Sequence, residues 1–160
     1  MGLFSKIIKT NEIILSSPLK GNIIPLESVQ DETFAQKILG DGIAIDPVVG
    51  MLYSSADGVV LSVADTGHAI AIQYDNGVEV LMHIGIDTVE LKGNGYTPKV
   101  NAGDRVKKGE ELIVFDIDYI KARGYSLITP VIITNSDEFK LIKGATGKSD
   151  FFDNLITLKK

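Results

Sequence analysis

The chain has no cysteine, no tryptophan and only two histidines in 160 residues. Without cysteine there can be no disulfide framework, no iron–sulfur site and no thiol nucleophile. Proline is scarce at five residues, and no linker, low-complexity tract or fixed-period repeat stands out. No apolar run approaches the roughly 20 residues of a membrane span, and no secretory h-region follows the N-terminus. A net charge of −5 argues against a nucleic-acid surface, where a basic patch is expected. It favours a basic protein partner, as a bias on encounter rate. The expectation is an acidic, soluble, cytoplasmic protein. Its length suits one domain with a substantial core, over residues 11–160.

Residues 1–10, MGLFSKIIKT, place Leu3, Phe4, Ile7 and Ile8 at helical spacing with Lys6 and Lys9 between them. Such a segment is either a flexible terminus or a short amphipathic helix with weak contact to a membrane surface. Beyond it, only 117-IDYIKARGY-125 reads as helical. Short runs rich in Val, Ile and Leu dominate elsewhere, including 12-EIIL-15, 20-KGNIIPL-26, 58-GVVLSVA-64, 111-ELIVFD-116, 130-PVIIT-134 and 155-LITLK-159. Many short strands punctuated by turn residues predict an all-β protein, an antiparallel barrel-like sandwich with short helical turns.

The two histidines, His68 and His83, flank one predicted hairpin, 68-HAIAIQYDNGVEVLMHIGID-87. Asn76-Gly77 is a strong type I′ signal, because both central residues of that turn need φ > 0. A two-residue turn there pairs Asp75 with Val78, Gln73 with Val80 and Ile70 with His83. His68, two residues beyond Ile70, then shares a face with His83, roughly 7 Å away across the strands. Ala69, Ala71, Val80, Met82 and Ile84 are expected on the opposite, core face. A three-residue loop would separate the two rings.

A single strand histidine is usually a packed one, but two on one apolar face open further readings. One is phosphoryl carriage, since neutral imidazole is a good nucleophile near pH 7 and its N–P bond is labile. Thr66 could orient one ring, main-chain amides near Gly85 to Asp87 could hold the phosphoryl oxygens, and Gly67 and Gly85 permit close approach. A second reading is a regulatory docking module that binds zinc through His68 and His83. It needs a third ligand such as Asp87 or Glu79. A third likeness, of 97-TPKVNAGDRVKKGEELIVFD-116 to biotinyl and lipoyl domains, lacks the modified-lysine triplet and speaks only to the fold.

Several stretches are more specific. They are 34-FAQKILGDGIAI-45, 55-SADGVV-60, 66-TGHAIAIQ-73, 77-GVEVLMHIGIDTVELKGNGY-96, 102-AGDRVKKGEELIVFD-116 and 129-TPVIITN-135. Together they resemble the glucose-type enzyme IIA family of the bacterial phosphoenolpyruvate-dependent sugar phosphotransferase system, with H-I-G-I-D-T-V-E-L-K-G-x-G the most telling. The resemblance implies a phosphohistidine relay protein that takes a phosphoryl group from HPr and passes it to the IIB cysteine of a glucose-type sugar permease. It implies His83 as the phosphorylated residue, reacting through Nε2 with Nδ1 held by the Gly85 carbonyl, His68 as the supporting histidine and Thr66 as its orienter. By the same resemblance Asp31 and Asp87 meet basic residues of HPr, while Phe34, Leu81, Gly85 and Val89 belong to the docking surface. A monomer without a cofactor is implied, and no metal is required. The chain departs from some members at Ala64 and Leu81, where they carry aromatics, and at Gly67, where they carry asparagine.

Overall fold

The computed structural model describes residues 11–160, so the expectations for residues 1–10 lie outside the described residues. Every strand pair in it is antiparallel. In chain order the strands are β1 Glu12–Ser16, β2 Gly21–Pro25, β3 Asp41–Pro47, β4 Met51–Tyr53, β5 Gly58–Val63, β6 Ala69–Tyr74 and β7 Glu79–His83. They continue with β8 Tyr96–Pro98, β9 Arg105–Val106, β10 Glu111–Phe115, β11 Thr129–Ile133, β12 Lys140–Gly144, β13 Gly147–Ser149 and β14 Asn154–Lys159. Two short helices, α1 Glu32–Ala35 and α2 Ile117–Ala122, are the only α-helices among the described residues.

Eight strands form one sheet in the order β13-β2-β3-β11-β7-β6-β5-β9, and two three-stranded sheets, β1-β14-β12 and β4-β10-β8, accompany it. Its end strands do not pair with each other, so the fold is sandwich-like and not a closed barrel. Side-chain alternation builds the main core from Ile43 and Ile45 of β3, Ile70 and Ile72 of β6, Val80 and Met82 of β7, and Val131 and Ile133 of β11. Each fully buried side chain of this size contributes about 1.5–3 kcal/mol.

The reverse face of the central strands carries a second apolar cluster. Ala44 and Ile132 meet Leu26, Val29, Phe34 and Ile86 there, with Leu81 packed at the edge. The segment that covers this face is a 3₁₀ turn, Leu26–Ser28, followed by α1. Asp31 caps α1, its carboxylate accepting from the Thr33 amide at 2.9 Å, which satisfies one of the unpaired donors of the first turn. The histidine-bearing face is therefore partly roofed, not open along its length.

The hairpin itself differs from its predicted register. Ala69 pairs with His83, Ile70 with Met82 and Gln73 with Glu79, one residue away from the expected alignment. Tyr74 N–H donates to the Val78 carbonyl at 2.9 Å and Gly77 N–H to the Tyr74 carbonyl at 3.0 Å. The loop is therefore three residues, Asp75 to Gly77. Only Gly77 takes a positive φ, at 93°, so the two left-handed residues of a type I′ turn are not present. The Asn76 carboxamide instead accepts from the Val78 amide at 3.0 Å. The shift sends Ile70 and Ile72 into the core beside Val80 and Met82, and leaves Ala69 and Ala71 on the face of Leu81 and His83.

Candidate functional site

With that register, strict alternation would put His68 and His83 on opposite faces. Yet their ring centroids lie 4.7 Å apart at 79°. The resolution lies at the strand end. β6 begins at Ala69, so His68 stands just outside it, after Gly67 with φ of +74°. A left-handed glycine redirects the chain at little cost, and alternation no longer governs the side chain. The Ile84 amide still donates to the His68 carbonyl at 2.7 Å, which locks the two histidine-bearing ends together.

The rings are held differently. His83 Nδ1 lies 2.8 Å from the Gly85 carbonyl oxygen. A carbonyl only accepts, so Nδ1 carries the proton, and in the neutral ring Nε2 keeps a free lone pair. His68 Nδ1 is 2.6 Å from the Thr66 hydroxyl. When that hydroxyl donates, the His68 proton resides on Nε2. Phe34 leans on His83 at 5.2 Å between centroids, and Tyr96 approaches His68 at 6.3 Å. His83 is half-buried, whereas His68 is only 6% exposed.

Gly85 has no room for a side chain: a Cβ there would stand 2.4 Å from Thr88 Cγ2 and 2.8 Å from the Ser126 carbonyl oxygen. Its φ is +88°. The next amide, of Ile86, donates to the Ser126 carbonyl at 3.1 Å. That amide, one of those expected to face phosphoryl oxygens, is therefore already occupied.

Burial, and then the neighbouring His83 ring, push the His68 imidazole down from its ordinary 6.5 to about 4. As pH falls, the unfolded chain takes up this proton near 6.5, before the folded chain does. Stability is expected to decline from about pH 6.5 to 4 on this account and to level off below. The slope for one proton is at most about 1.4 kcal/mol per pH unit. Chemical denaturation at pH 7.5, 6 and 5 checks this against His68→Gln, and parallel stability curves for the two chains would contradict it.

The structure brings Thr66, His68, His83, Gly85 and Phe34 into one constellation, with Leu81 on the same face two residues before His83. Phe34 is only 5% exposed and sits in the second apolar cluster, so it backs the His83 ring from beneath the surface. Asp87 and Val89 lie exposed on the turn after Gly85, Val89 at 53%, and Asp31 is partly exposed at the head of α1. Glu79 sits at the other end of β7, four residues or roughly 13 Å from His83. Among the described residues no three His, Asp or Glu side chains are grouped so as to hold a metal ion. The zinc reading thus finds no third ligand.

Three participants escape a reading of the residues alone. Thr88 and Tyr96 both direct hydroxyls to the Ile84 carbonyl, at 2.7 and 2.8 Å, and Ser126 holds the Ile86 amide. Thr88 and Tyr96 lie within the telling H-I-G-I-D-T stretch and its extension, but nothing in a sequence says that a hydroxyl is buried against a carbonyl. Ser126 lies some forty positions away and acts through its main chain.

The family model for the phosphoenolpyruvate-dependent sugar phosphotransferase system, EIIA 1, matches residues 13–139. The chain belongs to this EIIA family. An EIIA glucose-specific component from Bacillus cereus is 42% identical over 145 residues, covering 91% of this chain and 88% of the relative. One from Oceanobacillus iheyensis is 47% identical over 132 residues, covering 82% and 80%. The solved structure of glucose permease IIA from Mycoplasma capricolum superposes with a TM-score of 0.86 at 34% identity, over 91% of this chain and 95% of that one. As an EIIA component the chain is a phosphoryl carrier of the sugar phosphotransferase system, and the sandwich-like all-β fold matches its solved relative. Among its described residues no helix is long and apolar enough to cross a membrane.

Proposed function

We propose that His83 carries the phosphoryl group in this EIIA component, received from HPr and passed to the cysteine of a IIB domain. The observation that carries this reading is the hydrogen bond from His83 Nδ1 to the Gly85 carbonyl. It fixes one tautomer and presents Nε2 as the nucleophile. In the first transfer a bond forms between phosphorus and His83 Nε2 as the phosphorus–nitrogen bond to HPr breaks in line. In the second, a phosphorus–sulfur bond to IIB forms as the His83 bond breaks. Positive charge that develops on the ring is shared through Nδ1–H with the Gly85 oxygen. Such transfers rest mainly on positioning and on stabilising the equatorial oxygens.

His68, neutral at physiological pH and oriented by Thr66, is suited to donate Nε2–H to one phosphoryl oxygen. The apolar surround of Phe34, Leu81 and Ile86 limits water and slows hydrolysis. Asp31 and Asp87 would meet basic residues of HPr around the His83 ring, and Leu81 and Val89 would form the contact surface; Gly85, expected there too, is itself buried. The IIB acceptor is supported by a beta-glucoside-specific EIIBCA component from Dickeya chrysanthemi, 48% identical over 137 residues, in which the matching region is 22% of a longer protein. One protomer supplies the whole constellation and would act as a monomer, as the family resemblance implies, in the cytoplasm where HPr works. Residues 1–10 would add a weak contact with the membrane surface, and residues 11–160 act as one domain.

Incubation with phosphoenolpyruvate, enzyme I and HPr, followed by intact mass, tests the reading. A gain of one acid-labile phosphoryl group is expected, and no gain with HPr itself phosphorylated would overturn it. His68→Gln should still accept from HPr but pass the group to IIB at least tenfold more slowly, a barrier difference of about 1.4 kcal/mol or more. Rapid-quench transfer in both directions checks this, and equal slowing in both would contradict the role.

A further inference from the structure

Three consecutive peptide units after β7 are each anchored from outside. The unit between His83 and Ile84 is held by its N–H, which donates to the His68 carbonyl at 2.7 Å. The unit between Gly85 and Ile86 is held at both ends: its carbonyl takes His83 Nδ1–H at 2.8 Å, and its N–H donates to Ser126 at 3.1 Å. Between them lies the unit of Ile84 and Gly85. Its carbonyl accepts two buried hydroxyls, Thr88 Oγ1 at 2.7 Å and Tyr96 Oη at 2.8 Å.

Both lone pairs of the Ile84 oxygen are thus occupied, by donors four and twelve residues downstream. Thr88 is fully buried and Tyr96 nearly so. A buried hydroxyl needs a partner, and a valine or phenylalanine would fill the same space without that demand. The hydroxyls are therefore explained by the carbonyl they hold. Rotation of that peptide unit would swing the next one, and with it the Gly85 oxygen that keeps the proton on His83 Nδ1. The Thr88 methyl also closes the space above Gly85.

We infer that Thr88, assisted by Tyr96, is a positioning residue for phosphoryl transfer: by fixing the Ile84 carbonyl it holds the Gly85 carbonyl in place and so sets the tautomer of His83. It touches neither the phosphoryl group nor the reacting nitrogen. The inference deepens the reading of His83 as the carrier and rests on it for its kinetic consequence. Its structural consequence is read separately, in the unphosphorylated protein.

The test uses ¹⁵N NMR of the His83 ring in the full chain, with transfer from phospho-HPr measured in parallel. The native ring should show a single Nδ1–H tautomer. Thr88→Val should give a mixture in which Nε2–H appears, with transfer slowed about tenfold. Tyr96→Phe should have the smaller effect, two- to threefold, because it only removes a donor, whereas Thr88→Val also puts a methyl where the hydroxyl sat 2.7 Å from the Ile84 oxygen. Thr88→Ser, which keeps the hydroxyl, should restore both the tautomer and the rate. Should Thr88→Val fail to fold, the comparison passes to Tyr96→Phe and Thr88→Ser, where a tautomer change in the first and none in the second is required. An unchanged tautomer in folded Thr88→Val, or slowing that Thr88→Ser does not rescue, would overturn the inference. Absence of phosphate on native His83 would instead refute the carrier assignment, whatever the tautomer.

Discussion

His83→Gln is expected to leave a folded chain that gains no phosphoryl mass in the presence of phosphoenolpyruvate, enzyme I and HPr. Glutamine can occupy the half-buried space, and its carboxamide offers hydrogen bonds, but no neutral nitrogen lone pair able to form a labile bond to phosphorus. The structural cost is small, about 1 kcal/mol for the lost bond to Gly85, so circular dichroism and the unfolding midpoint should stay near native values. Transfer should nonetheless fall below detection. His68 is not a substitute: it is buried, and with the Thr66 hydroxyl donating to Nδ1 its proton sits on Nε2, which leaves no free lone pair there. Phosphate appearing on His68, or on any other residue at the native rate, would refute the assignment of His83.

The second large effect is expected at Gly85→Ala. Two penalties combine there. The left-handed backbone, with φ of +88°, costs a non-glycine residue about 1–2 kcal/mol. The new methyl meets Thr88 Cγ2 at 2.4 Å and the Ser126 carbonyl at 2.8 Å, an overpacking worth about 1–3 kcal/mol. A loss of about 2–5 kcal/mol should lower Tm by roughly 4–20 °C in a chain of this size. Gly103→Ala is the control, because Gly103 has φ of +90° and nothing within 4 Å of its prospective Cβ. It should show only the backbone term. Equal destabilisation by the two substitutions would show that the contact with Thr88 and Ser126 is not tight. Relief of the clash at position 85 must also move the carbonyl that His83 uses, so transfer should fall at least tenfold in Gly85→Ala and remain native in Gly103→Ala.

The hairpin shows how much a local pattern can carry. Asn76-Gly77 located the turn correctly, and the short apolar runs located β1, β2, β5, β10, β11 and β14 to within a residue or two. The turn type did not follow, because the Asn76 side chain satisfies the Val78 amide itself and only glycine takes the left-handed position. The one-residue slip then reversed the expected faces of β6, sending Ile70 and Ile72 inward, while Val80 and Met82 of β7 kept theirs. Even so the histidines met, since His68 lies beyond the strand, where Gly67 breaks the alternation on which the expectation depended. Phe34 illustrates the other limit. The family resemblance implies a docking surface there, and the cluster of Leu26, Val29 and Ile132 draws Phe34 under cover and against the His83 ring.

By itself the sequence determined the all-β class and, through H-I-G-I-D-T-V-E-L-K-G-x-G, the family, and it singled out the pair of histidines as the proposed chemical centre. These are properties of residue type and short-range spacing, which survive without knowledge of any long-range contact. The tertiary structure alone decided the strand register, the roof over the reverse face, and the anchoring of Ile84, Gly85 and Ile86 by Thr88, Tyr96 and Ser126. Hydrogen-bond direction and burial arise only when distant segments are packed together, and they place the proton of the His83 ring on Nδ1.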